Sequence, residues 1–457
     1  MRHRVHESPL PGFTDPAELF EAVFATEPTA VWLDSGVHAD RGMSYIGLGT
    51  RTLTANVAER SITVDGAESA GEVLEFLRGE LVAADAPDPE SPAAGFRLGW
   101  VGWLGYELRA QTMGLASGHR SRYPDAALLF VDRAVVFDHA ERSMRVIGLS
   151  ADAVRELQGR IRGRGRSAAA EWAVRPARAT VEAEWAYGDD EYLGMIRDCQ
   201  TAIGAGDAYQ LCLTTEVRVP VRPDPLAAYL ELRASNPSHH GALFRFGEVS
   251  LLSSSPEIFL TVTPGGTIES KPIKGTRRRG ATAREDAALV AELLASDKER
   301  AENLMIVDLM RNDIGRVSEV GSVAVPTLLA VETYAHVHQL VSTVRGTLAA
   351  GLGGVDAVAA CFPAGSMTGA PKHSAVTILD RLENRARGVY AGAFGYFGLD
   401  GRIELSMVIR SILLDAGGAT VGTGGGITAL SVPAEELDEV KLKSAALLAV
   451  LGVPPSA

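Results

Sequence analysis

Short apolar runs alternate with polar turns over the first 160 residues. AVWLDS (30–35), ALLFVDRAVVF (127–137) and MRVIGL (144–149) read as strands, and residues 16–25 and 71–83 carry helical spacing. After residue 186 the pattern changes. Strand-like runs such as VSLLSSS (249–255), IFLTVTP (258–264) and VYAGAFGYFG (389–398) are separated by long helical patterns at 282–311 and 433–451. This mixture predicts an α+β fold, with large antiparallel sheets and helices on their outer faces. Within the last helix Leu437, Val440, Ser444, Leu447 and Leu451 recur at steps of three and four and form a core stripe.

Two segments read as connections: 84–94 (ADAPDPESPAA) and 162–182 (RGRGRSAAAEWAVRPARATVE), both without sustained apolar periodicity. They divide an N-terminal region, 1–160, from a larger region, 186–453. The N-terminal strands are short and their edges need cover, which predicts that the two regions pack as one body.

The chain has 457 residues, 46% hydrophobic and 22% charged, the balance of a globular protein with a large core. Against 44 Lys and Arg stand 57 Asp and Glu, a net charge of −13. Nucleic acid and anionic membrane are therefore excluded as expected partners, since both need positive surface. An anionic ligand would need a local reversal of the field. The three cysteines, Cys199, Cys212 and Cys361, are far apart and form no CxxC pair, which argues for a reducing compartment and against zinc. No apolar leader region and no run of about 18 apolar residues is found. A cytoplasmic protein is expected.

Several groups can carry chemistry. Glu436, Glu439 and Lys443 share one face of the last helix, and Glu299 and Glu302 are three apart in KERAENLMIVDLMRND. Taken alone, each set reads as a solvated helix face. Taken together, two helices presenting two carboxylates each can form an oxygen site for Mg²⁺. TGGGIT (423–428) lets backbone N–H groups approach an anion, although a tight turn is an equal reading. FPAGSMTGAPK (362–372) reads as a polar loop, and PIKGTRRRG (272–280) places Lys274 before a Gly-Thr turn. A lysine held partly out of water becomes a nucleophile. Glu257, in SSSPEIFL, stands between a serine cluster and an apolar strand, where a half-buried carboxyl stays protonated and can act as a general acid.

In order along about 250 residues, GDAYQLCLT (206–214), SSSPEIFL (253–260), PIKGTRRRG, KERAENLMIVDLMRNDIGRV (298–317), FPAGSMTGAPK, GVYAGAFGYFG (388–398), VIRSI (408–412) and GGGI (424–427) resemble the chorismate-utilising enzymes. The resemblance implies the fold of that family, chorismate as substrate and Mg²⁺ as cofactor. Glu302 and Glu439 would hold the metal, with Glu299 and Glu436 in support through water. Arg410 and Tyr390 would hold the enolpyruvyl carboxylate, aided by backbone near Gly424 and Gly425, with Lys443 near the ring carboxylate and Thr276 beside it. Lys274 resembles the nucleophilic lysine of the aminodeoxychorismate branch, with Glu257 as its acid. Gln210 stands where water-adding relatives carry a basic lysine, and Asn303 favours the same branch.

The sequence departs from the family pattern at Gln339, where a His is usual and His338 stands one residue earlier. It also departs at Leu430, Leu437 and Arg278, where Asp, Tyr and Pro are common. Neighbouring strand residues face opposite sides, so His338 is not expected to substitute. No glutaminase motif is found, so ammonia would come from solution or from a separate glutamine amidotransferase subunit. Ser35, Asn236 and Pro237 resemble segments that line a tryptophan pocket in relatives. Anthranilate synthase component I, an aminochorismate synthase of secondary metabolism, and a non-catalytic chorismate- or tryptophan-binding subunit are the alternatives. Lys274 speaks against the first and Gln339 for the last.

Overall fold

The computed structural model describes residues 4–37, 39–83, 95–115, 118–163, 181–334 and 337–454. The expected connection at 84–94 lies outside them, as does 164–180 of the second. Two antiparallel sheets of twelve strands each lie face to face. Val31, Phe244, Leu251 and Leu413 of the first sheet interlock with Val101, Trp103, Leu129 and Phe394 of the second. Helices cover the outer faces. Pro16–Phe24, Ala151–Gly163, Pro225–Ser235 and the end of Pro433–Val450 pack on the first sheet. Val73–Ala83, Asp297–Gly315 and Gly354–Cys361 pack on the second. The fold class expected from the sequence is therefore observed, and the buried stripe of the last helix includes all five expected residues.

Both sheets draw on both regions of the chain. In the first, Thr29–Asp34 pairs with His240–Phe246, from Thr29 opposite Phe246 to Asp34 opposite Gly241. In the second, Gly99–Leu104 pairs with Ala393–Gly398, from Gly99 opposite Gly398 to Leu104 opposite Ala393. Each region leaves an open strand edge that only the other closes.

Several expectations need correction. The run 127–137 is two strands, Ala126–Val131 in the second sheet and Arg133–Asp138 in the first. Buried on both faces, the two read as one apolar stretch, and Asp132 alone marks the crossing. The helical pattern 282–311 is two helices, Ala283–Ala295 and Asp297–Gly315. Ser296 separates them in an extended conformation, and its hydroxyl accepts the Glu299 N–H as an N-cap. Of 389–398, only Ala393–Gly398 is strand. FPAGSMTGAPK is no exposed polar loop, since Phe362 to Ala370 are all buried.

We expect a chain ending at Gly163 to lack cooperative unfolding, because it would bare the edges of Thr29–Asp34 and Gly99–Leu104. A sharp thermal or urea transition from that fragment would show that residues 1–160 form a domain of their own.

Candidate active site

A cavity of about 650 Å³ opens where strands pass from one sheet to the other. Val249–Ser255 belongs to the first sheet and Ile258–Val262 to the second, and the crossing between them carries Glu257. Ile403–Met407 and Ser411–Asp415 are split between sheets in the same way, and Arg410 lies on that crossing. Its φ of +52° is a left-handed conformation that costs a non-glycine residue about 1–2 kcal/mol. Both side chains line the cavity.

Lys274 reaches it through a bulge, not the turn expected from PIKGT. Ile273–Arg278 pairs with Val337–Thr347, but the register slips between Ile273 and Thr276. Gly275 supplies the bulge with φ +83°, and a Cβ there would lie 2.8 Å from Leu293 and 2.9 Å from Glu299. A bulge re-aims its side chains, and here Lys274 and Thr276 line the cavity.

The carboxylates arrive on two helices. Glu299 and Glu302 sit in the first two turns of Asp297–Gly315, and Glu436 and Glu439 in the first two of Pro433–Val450. All four line the cavity.

TGGGIT, for which a turn was an equal reading, is the end of strand Gly418–Ile427. One edge of that strand pairs with Gln210–Val219 throughout, while its other neighbour, Ser411–Asp415, reaches only to Ile412 opposite Val421. From Gly422 onward the second edge is open. The carbonyl of Gly424 accepts a hydrogen bond from Lys443 Nζ at 3.1 Å, so the N–H of Gly424 faces that open side too. Gly422 leaves room for Tyr390, whose ring would stand 2.1 Å from a Cβ there.

Five cations face five carboxylates across the cavity, in a chain of net charge −13. Three cations are already paired: Lys298 with Glu436 at 3.4 Å, Lys443 with Glu439 at 2.7 Å and Arg277 with Glu299 at 3.5 Å. Ser431 also donates to Glu436, at 2.7 Å. Lys274 and Arg410 have no side-chain partner among the described residues. Burial pushes the Glu257 carboxyl up to about 7, against the pull of Lys274 and a hydrogen bond from Ser366. Burial also raises Glu302, opposed by Lys274 and Lys298. At Glu439 burial acts upward, but Lys443, Lys298 and Lys274 outweigh it and its pKa falls. Burial lowers the pKa of Arg410.

Residues 29–449 match the family described as chorismate binding enzyme. The chain belongs to that family. It is 45% identical over 98% of its length to an aminodeoxychorismate synthase of Streptomyces griseus, covering 64% of that protein. It is 32% identical to anthranilate synthase component 1 of Methanothermobacter thermautotrophicus, over 95% of this chain and 92% of the relative. Among solved structures, anthranilate synthase component I from Streptococcus pneumoniae superposes with a TM-score of 0.79 at 29% identity, over 90% of this chain and 93% of the other. The chain spans slightly less than two thirds of the Streptomyces aminodeoxychorismate synthases it matches, at 64% and 65%. No helix among the described residues is long and apolar enough to cross a membrane.

The chain presents carboxylates of a kind suited to a hard cation, though none completes a site unaided. Among the described residues no group of three Asp, Glu, His or Cys stands close enough to hold a metal. Most of the sequence candidates meet in the one cavity: Lys274, Glu257, Arg410, Tyr390, Gly424, Gly425, Lys443, Thr276 and the four glutamates. Gln210 does not line it. It is buried on the same face of the sheet as Cys212, beyond the cavity's end, where a Cβ on Gly426 would lie 2.3 Å from its Nε2. Ser35, Asn236 and Pro237 lie elsewhere, where Arg233 joins Asp34 to the carbonyl of Gly36. Gln339 faces the cavity, while His338 turns away to Asp286 at 2.8 Å and Thr333 at 2.9 Å. Asn303 is buried beneath, donating to Leu340 O at 3.3 Å and accepting from Ser342.

Sequence reasoning missed Lys298, Cys212, Ser366 and Gly422 in the wall, and Arg387 behind it. The Arg387 guanidinium donates to both oxygens of Glu383, at 2.8 and 2.7 Å, to Met367 O at 2.6 Å and to Cys212 O at 2.9 Å. It lies over the Tyr106 ring at 4.3 Å. No local pattern marked it, since helix Lys372–Glu383 ends at Glu383 and Arg387 lies beyond it. Arg387→Met would leave Glu383 buried without its cation. Urea unfolding should show a loss of about 3–5 kcal/mol.

Proposed function

We propose that this chain is the chorismate-converting component of an aminodeoxychorismate synthase, forming 4-amino-4-deoxychorismate from chorismate and ammonia. The observation that carries this reading is the unpartnered Lys274, aimed by its bulge into a cavity that also holds the raised carboxyl of Glu257. The likeness to the Streptomyces aminodeoxychorismate synthases supports it.

Arg410 and Tyr390 hold the enolpyruvyl carboxylate, the guanidinium through charge-assisted hydrogen bonds, with the open edge at Gly424 and Gly425 beside them. Lys443 and Thr276 lie toward the ring carboxylate. Glu302 and Glu439 would hold the metal, with Glu299 and Glu436 in support, and Mg²⁺ would supply charge neutralisation for the anionic substrate. The Lys274 amine attacks ring carbon 2, the double bond shifts, and the 4-hydroxyl leaves as water with the proton of Glu257. Ammonia then attacks carbon 4, the bond shifts back, and the Lys274 amine is expelled. The new ammonium returns a proton to the Glu257 carboxylate, so acid and nucleophile are both restored. One displacement becomes two easier ones. Gln210 acts from beside Gly426, at the end of the glycine strand, by shaping it. Ammonia comes from a glutamine amidotransferase partner or from solution. Ser35, Asn236 and Pro237, where relatives have a tryptophan pocket, take no part in the chemistry.

Supplied with chorismate and no ammonia, the wild-type chain should accumulate an adduct on Lys274 with the mass of chorismate less water, visible by intact-mass spectrometry. Lys274→Ala should lose the adduct and most aminodeoxychorismate formation. Undiminished product from that variant would remove this reading.

Glu257 must be protonated to act, and its carboxyl sits at about 7. Adduct formation should therefore fall as pH rises through 7. Glu257→Gln should slow it by about 10²–10⁴-fold and abolish that limb. An unchanged profile in the glutamine variant would assign the proton to another group.

A further inference from the structure

A second cavity, of about 970 Å³, shares no lining residue with the first. Two buried carboxylates line it, Glu107 and Asp125, with 6% and 8% of their surface exposed. Neither forms a salt bridge among the described residues. Arg109, the nearest cation in sequence, is spent on Asp380. Arg60, Arg120 and Arg122 line the same cavity but pair with Glu72, Glu59 and Asp415, at 2.8, 3.1 and 2.9 Å. Buried charges in proteins are paired or hold a cation, because leaving water uncompensated is costly.

The oxygens facing this cavity are short of donors. Asp125 Oδ2 accepts the Val57 N–H at 2.7 Å, but its Oδ1 is buried with no partner. Gln111 also lines the cavity, and its side-chain oxygen is likewise buried and unpartnered. Each Glu107 oxygen accepts a single backbone N–H, from Arg387 at 2.8 Å and Gly388 at 2.9 Å, which leaves lone pairs free. Oxygens without donors suit a hard cation. One unsatisfied carboxylate oxygen and one amide carbonyl are too few to strip water from a divalent ion.

We propose that Asp125, Glu107 and Gln111 bind a monovalent cation of the size of potassium or ammonium. Through Glu107 the ion steadies the backbone of Arg387 and Gly388, two residues before Tyr390 in the first cavity. Burial, with Asp125 adding to it, raises the Glu107 carboxyl to about 7, against the backbone N–H of Arg387 and the charge of Arg109. This binding is independent of the reaction proposed above.

The test is thermal unfolding of the full chain in potassium, ammonium, sodium and choline chloride at equal ionic strength. Potassium or ammonium should raise Tm by about 2 °C over choline, and sodium by less. A rise in ammonium alone identifies the four-donor ion, and a rise in both identifies a site selecting by size. Asp125→Asn keeps an acceptor for Val57 and turns its NH₂ toward the unpartnered position, so it should fold and show one Tm in all four salts. Equal Tm values for the wild type, or an ion response that survives in Asp125→Asn, would overturn the proposal. So would a Tm that ignores the salt and shifts only with pH near 7, since the pair would then share a proton.

Discussion

The Arg387 guanidinium lies in the interior with its N–H groups divided between the Glu383 carboxylate and the carbonyls of Met367 and Cys212. Glu383 also accepts the Thr214 N–H at 2.9 Å, and Glu107 takes the backbone N–H groups of Arg387 and Gly388. One buried ion pair thus fixes a strand, a buried turn and the segment entering Tyr390 at a single point. Met367, Cys212 and Tyr390 all line the first cavity. Such a pair adds little net stability, because desolvation offsets most of its attraction. Its effect is selective, since few other arrangements of these segments satisfy every donor.

That rigidity matters because the cavity works by charge. The surrounding chain is acidic, yet the wall balances its cations against its carboxylates. Lys298, Lys443 and Arg277 are held on glutamates, and Lys298 with Glu436 ties the two helices together. Lys274 and Arg410 remain uncommitted. Fixed charges facing a low-dielectric cavity need little reorganisation when a charged ligand enters.

Tertiary topology decides which residues meet. Glu257 and Arg410 lie on neighbouring crossings between the two sheets, and the strand that follows Arg410, Ser411–Asp415, is short enough to leave the glycine edge open. A longer strand there would pair that edge and close it. Burial at these crossings lifts Glu257, as its place between a serine cluster and an apolar strand predicts, but the packing that completes the burial comes from distant parts of the chain.

Several features were legible in the sequence. Period-two and period-three-four patterns gave the strands, the helices and the α+β class, because those periods follow from backbone geometry alone. The glutamate pairs at Glu299 and Glu302, and at Glu436 and Glu439, were readable for the same reason. The opposite facing of His338 and Gln339 followed from strand alternation and appears in the structure. Other features depended on partners far away in the chain. Residues 127–137 read as one strand because both halves are buried on both faces. The glycines of 424–426 stand in a strand because Gln210–Val219 pairs with them, and Lys274 reaches the cavity because Val337–Thr347 tolerates a bulge. Gln210 lies on the cavity's face of its strand, two residues before Cys212, but is buried against Gly426 beyond the lining, since how far a cavity runs along a strand depends on what packs over it. The Arg387 network and the unpaired Asp125 were invisible for one reason. Burial and hydrogen-bond satisfaction are properties of the assembled chain, whereas periodicity and spacing belong to the sequence itself.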